Sequence, residues 1–201
     1  MYKHTDKVLR SLNMQFIRLF RTINLLNIDE LNVVNQVVSV YQKADKLAKK
    51  AYLDVAMFAY MFAAKEVNYG GKSPIDEDWV QDMLFEADPV TLYKYMPEWN
   101  RKRQRLIESL AATKKPRQET NKALKFVSRQ VAHYADKATA NAALQAYKDA
   151  GVKRVMWITE RDNKVCPECA PLDGKVFDID KVPNIPQHYH CRCTLKPMKS
   201  E

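Results

Sequence analysis

The first two thirds of the chain carry apolar residues at helical spacing. Between residues 8 and 23 apolar side chains recur every three or four positions, and arginines occupy the other face. This pattern predicts an amphipathic helix that packs on its own domain, with a membrane-surface or partner-binding helix as the alternative. A second apolar series runs from Val33 to Phe62, and no Pro or Gly interrupts it before Gly70. It predicts one helix of about 35 to 40 residues, which needs neighbours along its whole length, some of them from other subunits.

Turn signals divide the following part of the chain into shorter helices. The loop Gly70–Pro74 ends the long helix, and Pro97 begins another helical segment. From about residue 118 to 150 the pattern is again helical and predicts two helices with a break near residues 134–139. Gly151 then follows as the C-terminal cap.

After Gly151 the residue pattern changes. Arg154–Thr159 is rich in β-branched and aromatic residues, which predicts a strand. Leu172–Phe177 contains an Asp-Gly turn signal that leads into a second strand, and the remaining segment predicts a compact, loop-rich tail. The expected fold is therefore mainly α, with long helices in the N-terminal two thirds and a small C-terminal α+β hairpin module.

Composition agrees with a helical chain and narrows its setting. The 201 residues include only 4 glycines, and 46% are hydrophobic. Basic residues interrupt every apolar run near the N-terminus, so no secretory signal is predicted. Because no apolar stretch is long enough to span a bilayer, we expect no membrane partner and synthesis in the cytosol.

Positive charge is concentrated in one region. The net charge is +9, and the segment from Lys94 to Arg129 contains eleven basic and three acidic residues. Such a stretch predicts contact with nucleic acid or another acidic surface, with a solvated helix face as the alternative reading. The candidate DNA-binding residues are Arg101, Lys102, Arg103, Arg105, Lys114, Lys115 and Arg117.

All four cysteines lie in the tail, in a pattern typical of a metal site. Cys166 and Cys169 form a C-x-x-C pair, and after eighteen residues the chain reads His188-Tyr-His-Cys191-Arg-Cys193. In a reducing compartment this arrangement favours a metal over disulfides. Zinc takes four tetrahedral nitrogen or sulfur ligands, and a site closed in this way is structural. The sequence therefore predicts a structural Zn²⁺, which makes the C-terminal α+β hairpin a zinc-binding module.

Five or six side chains compete for the four ligand positions. The preferred set is Cys166, Cys169, His188 and one of Cys191 or Cys193. An all-cysteine site with His188 beside it is the second possibility, and His190 is a weaker candidate. The alternative without metal is a small core containing reduced thiols.

Catalytic patterns are absent from the sequence. A zinc deaminase needs an H-x-E motif and P-C-x-x-C, and neither occurs. With every ligand position filled, no open position remains for a catalytic water, so we expect no enzyme activity. On the residues alone, the alternative functions are a free zinc-stabilised nucleic-acid-binding protein and, less favoured, a zinc-dependent nuclease-type toxin.

The tail as a whole resembles a known family. The elements that carry the resemblance are Trp157-Ile158-Thr159, Asp162, Val165-Cys166-Pro167-Glu168-Cys169, Leu172-Asp173-Gly174-Lys175-Val176-Phe177, Pro186, His188 and Cys191-Arg192-Cys193. In order and spacing they are similar to the signature of phage head morphogenesis proteins, the Mu F-like minor head proteins. Two departures stand out: the Arg-Thr-Glu that the family often carries is missing near His133–Asp136, and Tyr189-His190 replaces Pro-Asn.

The resemblance divides the chain into a helical region, residues 1–134, and a Mu F-like C-terminal module, residues 135–201. It implies a minor structural protein of a tailed-phage head, inside the head or at the portal of the virion. The implied partners are the portal or major capsid protein and packaged double-stranded DNA. Self-association is also expected.

Overall fold

The computed structural model describes residues 2–26, 30–84, 86–87, 94–95, 97–189 and 191–198. Within them the helices are α1 (Tyr2–Phe20), α2 (Glu30–Glu66), α3 (Glu77–Leu84), α4 (Pro97–Ala112) and α5 (Pro116–Asp149). The strands are β1 (Glu86–Ala87), β2 (Lys94–Tyr95), β3 (Arg154–Ile158), β4 (Val176–Asp178) and β5 (Thr194–Pro197). Two 3₁₀ turns, Ala170–Leu172 and Ile179–Lys181, complete the described elements.

The two long helices α2 and α5 pack side by side in the same direction. Near their C-terminal ends, the Tyr60 hydroxyl donates a 2.6 Å hydrogen bond to Asp149, and the Tyr147 hydroxyl donates one of 2.6 Å to Glu66. A run of buried alanines lies along both helices, so their backbones can approach closely. The 37 residues of α2 confirm the long helix predicted from the uninterrupted apolar series.

Helix α1 runs antiparallel to this pair and closes the bundle together with α4. Its first turns meet the middle of α5, where the Thr5 and Thr139 hydroxyls lie 3.1 Å apart. Its end packs Phe20 edge-on against Tyr41 of α2, with ring centroids 5.8 Å apart. The buried residues Leu12 and Phe16 therefore face the core, as the amphipathic pattern predicts. None of the described helices combines the length and apolarity that a membrane crossing requires.

The predicted break near residues 134–139 is wrong, because α5 is continuous from Pro116 to Asp149. The polar residues at this point do not end the helix, since Thr139 is buried against α1 and Ala135 and Ala138 pack into the core. The helix passes through the predicted division between residues 134 and 135, and its second half supports the C-terminal module.

Gly151 ends α5 as predicted. It adopts a φ of 75°, its N–H bonds to the Lys148 carbonyl at 2.9 Å, and the N–H of Val152 bonds to the Tyr147 carbonyl at 3.0 Å. This is a Schellman cap, in which a left-handed residue satisfies the last carbonyls of the helix. The chain then turns directly into β3.

The C-terminal module is a three-stranded antiparallel sheet in the order β4-β3-β5. Central β3 confirms the strand predicted at residues 154–159, and β4 confirms the strand after the Asp-Gly turn. The last strand, β5, lies in a segment predicted as loop, so the module is a three-stranded sheet rather than a hairpin. Val155 and Trp157 point inward from β3 and are completely buried.

Candidate metal centre

The first arm of the centre is a tight turn that follows β3. The N–H groups of Cys169 and Ala170 both bond to the Cys166 carbonyl, at 3.1 and 2.9 Å. The same Cys169 N–H lies 3.2 Å from the Cys166 sulfur, so it donates to that sulfur as well. This turn directs both thiols of the C-x-x-C pair to one side, and the 3₁₀ turn Ala170–Leu172 carries the chain away.

The second arm comes from the segment that precedes and enters β5. His188 Nδ1 lies 2.9 Å from the Tyr189 carbonyl oxygen, to which it donates. This bond leaves Nε2 as an acceptor, and Nε2 faces the thiols of the first arm. Cys191 and Cys193 follow, and both side chains are buried. His190 lies outside the described residues.

The two arms meet in two overlapping groups of three ligands. His188 Nε2 lies 2.9 Å from the Cys166 sulfur and 3.3 Å from the Cys169 sulfur. Cys169, Cys191 and Cys193 form the other group, in which the Cys169 and Cys191 sulfurs are 3.8 Å apart. With metal–sulfur distances of about 2.3 Å, two thiolates on a tetrahedral ion are separated by about 3.8 Å. Cys169 belongs to both groups and lies at the centre of the cluster.

A small cavity lies among these side chains. Its volume is about 20 Å³, and its ligand-bearing residues are Cys166, Cys169, His188 and Cys193. That volume exceeds the roughly 10 to 15 Å³ that one water-sized sphere needs, so it admits a single ion. The five predicted ligands are thus brought together, and this donor set of thiols and one imidazole could hold a metal ion.

The electrostatics of the thiols match this setting. Burial opposes ionisation of Cys166, but nearby N–H groups and His188 outweigh it, so the pKa of this thiol is lowered. Burial raises the pKa of Cys169, and hydrogen bonds with Cys166 and Cys193 raise it further. Burial likewise raises the pKa of Cys193. The Trp157 indole N–H favours the thiolate and offsets part of this increase. Clustered thiols of this kind ionise together where a cation offsets their charges.

An ion pair that spacing did not reveal ties the two arms together. Arg192, which lies between Cys191 and Cys193, donates two hydrogen bonds of 2.6 and 2.8 Å to Asp162, which precedes the first arm. The Arg192 guanidinium lowers the pKa of Asp162 to about 2. Both side chains are solvent-exposed, so this bidentate contact sets geometry more than stability. Both residues occur in the motif, and only their positions in the fold show that they pair.

Helix α5 supports the centre from beneath. The side-chain amide of Asn141 donates to the Ile185 carbonyl at 3.5 Å and to the Lys137 carbonyl at 2.8 Å. The Tyr189 ring packs against His133 at an interplanar angle of 37°, with ring centroids 4.4 Å apart, and the Arg129 guanidinium lies 4.4 Å from the Tyr189 ring centre. The ligand-bearing loop is thus packed on the helical region.

The predicted DNA-binding residues fall into two groups in space. Arg101, Lys102, Arg103 and Arg105 lie on α4, while Lys114, Lys115 and Arg117 lie at the α4–α5 turn. On α4, the Lys102 ammonium lies 4.7 Å from the Phe126 ring centre. Burial raises the pKa of Tyr41, and the positive charge of Arg103 opposes part of that increase. Arg101 and Arg105, one turn apart, are the exposed members of this group.

Comparison with known proteins agrees with the motif. Residues 102–196 match the model of the family described as Phage Mu protein F like protein. No curated protein and no solved structure gives a significant match to the chain. The matched segment covers α4 from its sixth residue onward, all of α5, both arms of the metal centre and nearly all of β5. The resemblance predicted from the sequence is therefore confirmed, because residues 102–196 are similar to the Phage Mu protein F like family.

Proposed function

We propose that the protein is a minor structural protein of a tailed-phage head, located at the portal or on the inner face of the capsid. The observation that carries the proposal is the family match over residues 102–196, which includes the complete cysteine and histidine cluster. In this role the protein acts in head assembly, DNA packaging or ejection, through binding rather than catalysis.

Heads purified from the phage that encodes the chain test this role. We expect an epitope-tagged chain to co-sediment with heads at a copy number far below that of the major capsid protein. It should also stay protected from external protease until the heads are opened. A tagged chain that remains at the top of the gradient, with heads of normal composition beneath it, would contradict the proposal.

We further propose that the ion is zinc and that its role is structural. Thiolates together with imidazole are the ligands that zinc prefers, and a site closed by four of them has no position for substrate. The three strands bury few large side chains besides Val155 and Trp157, so a metal that joins the two arms adds stability that the small core lacks.

Contact with packaged DNA is assigned to the exposed arginines of α4. We expect Arg101→Gln combined with Arg105→Gln to weaken binding of a short DNA duplex. The slope of log affinity against log salt should become shallower by about 2, because two phosphate contacts are lost. Fluorescence anisotropy across a salt titration measures both quantities.

The matched control removes two positive charges elsewhere. Lys153 and Lys175 are exposed residues of the C-terminal module. Their double replacement by glutamine lowers the net charge equally, and we expect it to leave the salt slope close to that of the parent protein. Equal effects of the two double variants would mean that general charge, and not α4, governs the binding.

A further inference from the structure

A groove lies at the end of the bundle opposite the metal centre. It is bounded by the end of α1 with the residues that follow it, and by the α4–α5 turn with the first turns of α5. Its volume is about 1000 Å³, at the upper end of the range for ligand sites in proteins. We call this feature the α1–α5 groove. It shares no residue with the metal centre or with the exposed arginines of α4.

The floor of the groove is apolar. Ile17, Leu25 and Leu124 line it and are only half-buried, while Leu26 at its edge has 96% of its surface exposed. An apolar side chain that covered them would remove their apolar surface from water. This burial is favourable by about 25 cal/mol per Å². The floor therefore suits a ligand that carries aliphatic side chains.

The rim of the groove is positively charged. Arg21, Lys114, Lys115 and Arg117 line it, all four are exposed, and no described lining residue is acidic. The first turn of α5 adds the positive end of the helix dipole at the same place. A ligand for this rim carries negative charge along its length.

The neighbouring groove between α1 and α2 is also positively charged. A shallower groove between α1 and α2, of about 550 Å³, shares Thr22 with the first groove. Its charged residues are Arg18, Lys43 and Lys46, again with no acidic residue in its described lining. The basic surface is therefore long enough to follow an extended partner.

We propose that the α1–α5 groove binds an acidic amphipathic segment of a partner protein. Carboxylates of the segment pair with the basic rim, and its apolar side chains cover the floor, in the manner of helix-in-groove recognition. A protein segment fits better than DNA, because a phosphate backbone binds through charge and hydrogen bonds and offers no aliphatic side chain to cover the exposed leucines. The inference assigns Lys114, Lys115 and Arg117 to protein binding, and it goes beyond the proposed function because it concerns a separate surface.

The test uses the full-length protein and a defined probe. The probe is a fluorescein-labelled helical peptide of about four turns, with leucines along one face and glutamates elsewhere. A second peptide replaces the leucines by serine, and a short DNA duplex is the third ligand. Anisotropy titrations at one fixed salt concentration compare all three.

Three variants locate the binding. We expect Lys114→Glu with Arg117→Glu to weaken binding of the leucine peptide by about tenfold or more, through lost attraction and new repulsion. Arg101→Glu with Arg105→Glu reverses the same amount of charge on α4, and it should change the affinity for the leucine peptide by less than about twofold. Leu26→Ser should weaken the leucine peptide severalfold and leave duplex binding unchanged, and its exposure makes loss of folding a minor concern.

Several outcomes would overturn the inference. It fails if the serine peptide binds as tightly as the leucine peptide. It also fails if Leu26→Ser leaves binding of the leucine peptide unchanged. It also fails if the Lys114 and Arg117 reversal lowers only duplex binding, which would return the turn to the DNA surface. None of these results bears on whether the chain enters phage heads, so the two proposals fail separately.

Discussion

We expect that replacing Cys169 by serine abolishes metal binding and unfolds the C-terminal module, while the helical bundle stays intact. We expect this result because Cys169 is the one thiol that both groups of ligands share, 3.3 Å from His188 Nε2 and 3.8 Å from the Cys191 sulfur. Structural zinc contributes on the order of 10 kcal/mol to the folding of small metal-dependent modules, far more than three short strands recover by packing.

Three measurements together show the expected separation. Native mass spectrometry should find one zinc per parent chain and none in Cys169→Ser. Far-ultraviolet circular dichroism should retain most of its helical signal, because the four thiols lie outside the described α-helices. Limited proteolysis should cut the variant after about residue 150, and a chelator should convert the parent protein to the same pattern.

Matched variants make the experiment specific. Glu168 lies inside the same C-x-x-C turn and is exposed, so Glu168→Gln should retain the metal and the parent digestion pattern. Cys191→Ser and Cys193→Ser then identify the fourth ligand. The variant that still binds one zinc shows that the cysteine it lacks is not a ligand. A Cys169→Ser protein that still binds one zinc and resists protease would refute the assignment.

The parts of the fold that follow from local sequence were predictable. The length of α2 comes from an apolar series without Gly or Pro, and the end of α5 comes from Gly151, the residue best suited to a φ of 75°. The break predicted in α5 failed for a non-local reason. Thr139 weakens a helix on its own, but here its hydroxyl reaches Thr5 of α1, so tertiary packing overrides local preference.

The last strand was missed for a similar reason. Thr194–Pro197 contains a lysine and a proline and lacks the alternation of a typical strand, yet it pairs with the edge of β3. Spacing alone predicted which side chains gather at the metal centre, because the two arms were visible as a C-x-x-C pair and a His/Cys cluster. It could not rank Cys191 against Cys193, since that depends on how the second arm enters β5.

Groupings formed by distant segments were not visible in the sequence. The basic stretch was predicted as one surface. In the structure the turn at Lys114–Arg117 lies beside the end of α1, roughly 95 residues earlier in the chain. The arginines of α4 are not among the residues that line the α1–α5 groove. The pairing of Asp162 with Arg192 is similar, because the two residues are 30 positions apart.

The α1–α5 interface makes stability depend on pH through one carboxyl group. Burial of Asp136 on α5 raises its pKa from 3.8 to about 7, and the negative charge of Asp6 on α1 adds to the effect. The folded chain therefore holds a proton up to about pH 7, whereas the unfolded chain releases it near pH 4. Between these values the folded state binds the extra proton, so the free energy of unfolding falls as pH rises and levels off above pH 7.

Asp136→Asn keeps the shape of the side chain and removes this titration. A pKa difference of this size corresponds to about 4 kcal/mol. We treat that figure as an upper bound, since Asp136 is only partly buried, and expect the variant to be more stable than the parent protein by about 2 to 4 kcal/mol at pH 8. The difference should shrink steadily toward pH 4. Urea unfolding across this range measures it, and loss of metal at acidic pH affects both proteins equally and cancels in the difference.

Asp6→Asn provides the internal comparison. It removes the neighbouring charge but leaves Asp136 buried, so it should give a smaller stabilisation that also increases from pH 4 to pH 8, because burial is the larger cause of the raised pKa. If the unfolding free energies of Asp136→Asn and the parent protein run parallel from pH 4 to pH 8, the carboxyl group titrates equally in both states. Asp136 would then be hydrated in solution, and the contact between α1 and α5 would be looser than the buried Thr5–Thr139 pair indicates.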